Sequence, residues 1–315
     1  MKERIVFMGT PEFAVRSLEV LINGGINVAA VVTVPDKPAG RGQQLSESAV
    51  KKFAREKNLL VLQPEKLKDE SFVHELQKLN ADLFVVVAFR LLPEIIWQMP
   101  RLGTINLHAS LLPQYRGAAP INWAVINGEK ETGATTFFIE KEIDTGKIID
   151  AVKIPVHEKD NAGIVHDNLM EAGAQLLLNT VRAIFAGTTH PVSQNEIEQK
   201  DLKPAPKIFK EDGLIQWTNS TCSIYNKIRG LSPYPGAWTK IAKEGQSKTL
   251  KIYSAEINTD GKDHTGNIAV NDGKIAFGCA DGWVLADDLQ LEGKKRMKST
   301  EFLNGFQPEG WTSVL

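Results

Sequence analysis

The sequence predicts an α/β chain in two parts: an N-terminal domain with a Rossmann-like start and a mainly parallel sheet, followed by a small C-terminal β domain. Three observations predict it. In the first half, uninterrupted apolar runs such as Asp82–Ala88 recur between segments of helical period, which suits strands buried on both faces by covering helices. From Thr188 to about Pro206 the pattern breaks into polar residues interrupted by Pro191, Pro204 and Pro206, as a linker does. Beyond it, short β-branched and aromatic runs alternate with turn signals. A length of 315 residues with 42% hydrophobic content suffices for two cores. The boundaries read this way are 1–189, a linker at 190–207, and 208–315.

Each element has its own reason. Arg4–Met8 is a short apolar run with β-branched residues, a buried strand. Gly9-Thr10-Pro11-Glu12 then opens a helix, with Thr10 as the expected cap and Pro11 at the first helical position. Phe13, Ala14, Leu18, Leu21 and Ile22 continue it at helical spacing. Asn27–Thr33, Asp82–Ala88 and Thr104–His108 are further strands. Pro35–Gln43 holds two prolines, two glycines and the basic Lys37 and Arg41. It reads as an exposed loop. In the last third, the expected strands are Ala237–Ile241, Thr249–Tyr253, Gly266–Val270, Lys274–Gly278 and Trp283–Leu285. Asn271-Asp272-Gly273 and Asp281-Gly282 supply hairpin turns. A small barrel or sandwich of about 110 residues follows from this spacing.

The bulk numbers narrow the function classes. Charged residues make up 24% and the net charge is −1, which argues against coating nucleic acid by bulk charge but leaves room for a local basic surface. The two cysteines, Cys222 and Cys279, are far apart and form no metal-ligand or redox pair. No apolar run reaches the roughly 18 residues of a membrane span. Met1-Lys2-Glu3-Arg4 leads straight into a strand without a leader pattern. The expectation is a cytoplasmic protein with no membrane partner, no obligate protein partner and no metal.

The chemistry concentrates in the middle of the first part. Asn106 and His108 are two apart on a strand and share one face, while Ile105 and Leu107 share the other. They end that strand just before the turn-rich Ser110-Leu111-Leu112-Pro113, where open α/β sheets collect ligands. Ile143-Asp144-Thr145-Gly146 follows the strand-like run Ala134–Ile139. One reading makes His108 a buried histidine satisfied by a carbonyl, and Asp144 a turn residue bonding nearby N–H groups. The other brings Asp144 beside His108, so that Asn106 and His108 stabilise an oxyanion and His108 with Asp144 moves a proton. With no G-x-S-x-G and no nucleophilic cysteine in view, direct attack by a substrate group fits better than a covalent enzyme intermediate.

Together, Asn106–Pro113, Arg116-Gly117-Ala118-Ala119-Pro120-Ile121, Thr132-Gly133 and Asp144-Thr145-Gly146 resemble the folate-dependent formyltransferase family. Phe7–Ala14, Pro35–Gly42, Leu231–Trp238 and Leu289–Met297 narrow the resemblance to its branch acting on methionyl-tRNA, along essentially the whole chain. The resemblance implies Asn106, His108 and Asp144 as the catalytic trio, and Ser110, Leu111, Leu112 and Pro113 as the segment that binds tetrahydrofolate. It implies N10-formyltetrahydrofolate as co-substrate, and initiator methionyl-tRNA as partner through the Arg41 loop and the C-terminal domain. It further implies that this second domain is an OB-like barrel. The sequence departs from many relatives of that branch at Phe89-Arg90-Leu91-Leu92-Pro93. The second domain carries 13 Lys/Arg and 13 Asp/Glu from Ile208 to Leu315, so RNA contact there must rest on a local patch. Lys294-Lys295-Arg296 is the candidate.

Overall fold

The first strand, β1 (Arg4–Gly9), is buried from Ile5 onward. It feeds α1 (Glu12–Asn23). These and all later elements come from a computed structural model that describes residues 3–39, 44–197 and 201–314. The helix begins one residue later than its sequence signals suggest. Pro11, not Thr10, holds the N-cap position, and no side chain caps the helix. The Pro11 carbonyl receives the Ala14 amide at 3.0 Å, so the missing proline N–H costs nothing there.

The chain then runs through β2 (Asn27–Val32), β3 (Lys37–Ala39), β4 (Gln44–Ser46), α2 (Ala49–Glu56), β5 (Val61–Leu62), α3 (Glu70–Lys78), β6 (Leu83–Val87), α4 (Glu94–Trp97), β7 (Thr104–His108), α5 (Pro120–Ile126), β8 (Glu131–Phe138), β9 (Ile148–Pro155) and α6 (Ala162–Ala186). It divides into two compact units. The first comprises residues up to Gly117, Thr132–Ile154 and His166–Pro204; the second comprises Ala118–Glu131, Pro155–Val165 and the residues from Ala205 on.

The sheet of the first unit has the order β5-β2-β1-β6-β7-β8-β9. Every pairing from β5 to β7 is parallel, and β7 pairs antiparallel with β8. The fold is therefore Rossmann-like with a mainly parallel sheet. Strand order reverses beside β1, and the register Gly9↔Val87 and Val87↔Leu107 brings the carboxyl ends of β1, β6 and β7 to one edge. Loops gathered at such a reversal form the ligand crevice of open α/β sheets.

Pro35–Gln43, expected as an exposed loop, instead contributes β3 to a short hairpin: Lys37 pairs with Ser46, Pro38 with Leu45 and Ala39 with Gln44. A two-stranded ladder has only edges, where a proline without an N–H is tolerated. Arg41 lies outside the described residues.

The second unit carries α7 (Thr221–Gly230), β10 (Ala237–Lys243), β11 (Gln246–Thr259), β12 (Ile268–Asn271), β13 (Lys274–Cys279), β14 (Gly282–Leu291), β15 (Met297–Lys298), α8 (Ser299–Leu303) and β16 (Thr312–Ser313). Its antiparallel sheet runs β12-β13-β14-β11-β10-β16, with β15 on β14. Register shifts around Ser254 bend the 14-residue β11, as bulges do where a sheet curls. A bridge between Asn267 and Thr312 links the two ends of the strand order, which gives an OB-like barrel. Its core includes Trp217 stacked on Phe277 at 4.8 Å, with the indole N–H donated to Thr239 Oγ1 at 2.8 Å. The predicted turn at Asp272-Gly273 has positive φ at both residues (48° and 70°), as a two-residue hairpin loop requires. Glu244-Gly245 does the same between β10 and β11 (49° and 78°).

Candidate active site

β7 ends at the crevice edge and presents its two faces differently. Leu107 packs against α6, where a Cβ on Gly173 would sit 3.2 Å from Leu107 Cδ2. Asn106 and His108 therefore point away from α6, as alternation requires. Asn106 is half-buried, and no hydrogen bond holds its side chain among the described residues. His108 is only 6% exposed, with its ring edge-to-face on Phe137 at 6.5 Å.

The imidazole is held by its far nitrogen. His108 Nε2 lies 2.9 Å from the Tyr115 carbonyl oxygen. A carbonyl only accepts, so Nε2 carries a proton and Nδ1 is the nitrogen left for chemistry. Nδ1 sits 3.8 Å from Asp144 Oδ2, too long for a direct hydrogen bond and short enough for one polar hydrogen-bearing group to bridge the two. The structure thus realises parts of both readings of these residues. His108 is satisfied by a carbonyl, and its other nitrogen still faces Asp144.

Asp144 occupies a left-handed backbone position (φ 56°), which aspartate tolerates better than most residues. Its carboxylate accepts the Gly117 amide at 3.0 Å, from the loop that follows His108 rather than from its own turn. Gly146 is required two residues on, because a Cβ there would lie 1.7 Å from the Phe138 carbonyl oxygen.

Ser110–Pro113 is largely inward. Ser110 is fully buried and Leu112 is 7% exposed. The Ser110 hydroxyl donates to the Gln114 carbonyl at 2.6 Å. Thr135 Oγ1 donates to the Ser110 carbonyl at 2.7 Å and accepts the Leu112 amide at 3.1 Å. Leu111, half-buried, is the member whose side chain reaches solvent most. Thr135 was invisible as a site residue because it reads as an ordinary β-branched strand residue.

After β6, Ala88 takes a left-handed conformation (φ 48°). Arg90 donates to the carbonyls of Pro64 and Glu65 at 2.8 and 3.0 Å, and its buried Nε has no partner among the described residues. Burial pushes this guanidinium below its ordinary value. Leu91 and Ile95 are exposed on this loop and the helix after it. The departure from the family pattern at Phe89–Pro93 is thus locked to the neighbouring loop by an arginine.

In the second unit, Arg296 is committed. It makes a bidentate pair with Asp288 at 2.8 and 2.9 Å and lies 4.1 Å over the Tyr253 ring. Of the candidate basic run, this leaves Lys294 and Lys295, both exposed, without an ion pair among the described residues. Burial raises the Cys279 thiol to about 11, far from a reactive thiolate. Among the described residues no group of three His, Cys, Asp or Glu could hold a metal ion. No helix is long and apolar enough to cross a membrane.

The family described as formyl transferase matches residues 3–181, and the formyl transferase C-terminal domain matches residues 207–307. A methionyl-tRNA formyltransferase of Bacteroides thetaiotaomicron is 54% identical over 308 residues, 96% of each chain. One of Flavobacterium johnsoniae is 48% identical over 305 residues, again 96% of each. Two solved structures share the fold at 19% identity. WlaRD, a sugar 3N-formyl transferase with dTDP and 5-N-formyl-THF, gives a TM-score of 0.65 over 94% of this chain and 100% of its own. HypX of Aquifex aeolicus, in complex with tetrahydrofolic acid, gives 0.63 over 100% and 51%. Two matched domains and relatives this similar from end to end have one meaning: the chain belongs to the formyl transferase family.

Proposed function

We propose that this chain transfers the formyl group of N10-formyltetrahydrofolate to the free amine of methionyl-tRNA, giving the initiator formylmethionyl-tRNA. The observation that carries this reading is its 54% identity, over 96% of both chains, to a protein named for that activity. The site chemistry agrees with formyl transfer to an amine. An amine attacking a formyl carbon must shed a proton while negative charge grows on the formyl oxygen.

In this reading Asn106, whose side chain holds no hydrogen bond among the described residues, donates a hydrogen bond to that oxygen. One such donor is worth roughly 2.7–4 kcal/mol in comparable sites. His108, steadied through Nε2 by the Tyr115 carbonyl, works through Nδ1. The gap of 3.8 Å between Nδ1 and Asp144 Oδ2 suits a bridging amine N–H or water. The proton leaves the attacking nitrogen toward this pair and passes to the departing folate nitrogen. Asp144 balances the charge on the imidazole while it holds that proton. Ser110–Pro113 would shape the folate side, with Leu111 its most accessible side chain. The apolar wall from Val87 to Pro93 would receive the pterin. No step in this scheme asks for a metal.

We assign catalysis to residues 1–189, a connecting role to 190–207 and RNA binding to 208–315. Recognition of the RNA would fall to the loop around Arg41 and to a local surface of the C-terminal domain, Lys294 and Lys295 included. The site of action is the cytoplasm. The test is to incubate the protein with N10-formyltetrahydrofolate and methionyl-tRNA and to follow formylmethionyl-tRNA by acid-gel mobility. Formylation is expected with methionyl-tRNA and not with free methionine. Release of formate without formyl-tRNA would make the chain a formyl-folate hydrolase instead.

A further inference from the structure

Gln194 lies in the polar stretch read from the sequence as a linker, beyond residues 3–181 matched by the N-terminal family. Its side chain is nevertheless 1% exposed. Nε2 donates to two carbonyls of the aspartate turn, Asp144 O at 2.9 Å and Gly146 O at 2.8 Å. Oε1 accepts from Arg116 Nε at 3.0 Å and from its terminal nitrogen at 2.6 Å. Arg116 sits between Tyr115, whose carbonyl holds His108, and Gly117, whose amide holds the Asp144 carboxylate. One amide group thereby ties the loop that orients the imidazole to the turn that carries the carboxylate.

The backbone presenting Gln194 is itself fixed. Val192 and Ile148 exchange both backbone hydrogen bonds, at 2.8 and 2.9 Å, and the Ser193 hydroxyl starts the short 3-10 turn that begins with Gln194. Farther along, the Lys203 carbonyl accepts the Tyr115 amide at 2.7 Å, and the Lys203 amide donates to Gln114 Oε1 at 2.9 Å. Both loops of the site are therefore pinned from the segment after α6.

We infer that Gln194 is a positioning residue for the formyl transfer: it sets the spacing between His108 Nδ1 and Asp144 by bonding the aspartate turn on one side and Arg116 on the other. The inference rests on the catalytic reading of His108 and Asp144. The physical case is that Asp144 holds a left-handed conformation, and such conformations persist only where surroundings over-determine them. Displacing a reacting group by about 1 Å costs on the order of 10²-fold in rate. Asn106, on β7, would be unaffected.

The test is a double-mutant cycle. Gln194→Ala removes the whole bracket. Gln194→Glu keeps the length and the Arg116 pair but loses both N–H donors to the turn. Each is made alone and with Asp144→Asn, and kcat, KM for the formyl donor and the thermal midpoint are measured. In the otherwise native protein both variants should lower kcat on the order of 10²-fold with donor KM nearly unchanged. In the Asp144→Asn background the further loss should be less than threefold, because the carboxylate they position is already gone. Equal fold-losses in both backgrounds would make Gln194 a general structural prop and overturn the inference. Normal kcat in Gln194→Glu would also overturn it, even if Gln194→Ala fails to fold. Near-normal kcat in Asp144→Asn alone would instead remove the catalytic reading beneath it, and the inference with it.

Discussion

Which nitrogen of His108 is left to face Asp144 is decided by one backbone oxygen. Because the Tyr115 carbonyl takes Nε2 at 2.9 Å, Nδ1 is the nitrogen that meets Asp144, and Asp144 is kept in reach by the Gly117 amide. His108→Ala and Asp144→Asn are each expected to lower kcat by about 10²–10⁴-fold, the usual range for a general acid–base group. Folding, followed by circular dichroism, should stay intact, since the β7 backbone pairs with β6 and β8 whatever side chain stands at position 108. Turnover within threefold of normal in either variant would mean that another group moves the proton. At this scale the sequence was informative where the residue types are rare in strands. A polar N-x-H at the end of an apolar run stands out, and Asp-Thr-Gly marks a turn. Gln194 and Thr135 did not stand out, because each makes its contacts with residues tens of positions away and neither type is unusual in its local setting.

Among the elements, β6 is anchored at its entry by a carboxylate. Asp82 Oδ2 accepts the Arg4 amide at 2.8 Å, joining β6 to β1, and Oδ1 accepts from Arg101 Nε at 2.7 Å. The backbone hydrogen bond from Arg4, followed by Arg101, holds the Asp82 carboxyl below its ordinary value. A carboxylate depressed in the folded state contributes stability that is present above its unfolded value and is lost as pH falls through the folded one. The folded protein should therefore lose stability in acid partly through Asp82. Asp82→Asn should be less stable than the native protein at neutral pH, with the difference shrinking below about pH 4, the ordinary carboxylate range. Urea midpoints measured at several pH values check this, and a difference constant with pH would count against it. The elements themselves were legible because their periodicity is local. Their ends were less so: α1 starts a residue late, and β3 pairs with β4 in a stretch rich in proline and glycine. For β3, backbone pairing with β4, Lys37 with Ser46 and Pro38 with Leu45, decides what propensity leaves open.

For the whole molecule, the proposed function has a chain of net charge −1 recognise a substrate as large as tRNA. Bulk charge does not do it, so a few placed cations must. The hairpin stem β3–β4 is tied down through Asp36, which pairs with Lys51 and accepts from Gln63 Nε2 at 2.9 Å. Arg41 follows β3 in the chain. Arg41→Ala is expected to raise KM for methionyl-tRNA at least tenfold while leaving binding of the formyl donor within twofold. Tritiated-substrate kinetics and equilibrium dialysis of the donor measure the two. Equal losses in both would assign Arg41 a structural role, and no loss in either would leave Arg41 without a part in recognition.

The sequence by itself determined the class of each half and the two-residue turn of the β12–β13 hairpin, and it offered Asn106, His108 and Asp144 as candidates. All of these follow from patterns spanning a few residues: strand and helix periods, turn chemistry, and polar residues in apolar strands. Only the tertiary structure decided that Asp144 faces Nδ1 of His108 across 3.8 Å, that Ser110 turns inward onto Gln114, and that Arg296 is spent on Asp288. It also decided that a polar stretch with the composition of a tether buries Gln194 beneath the aspartate turn. The physical reason is the same each time. A hydrogen bond's partner is chosen by where the backbone delivers it, and neither periodicity nor turn chemistry records that choice, whether the partner is 4 positions away, as Gln114 is from Ser110, or 50, as Gln194 is from Asp144.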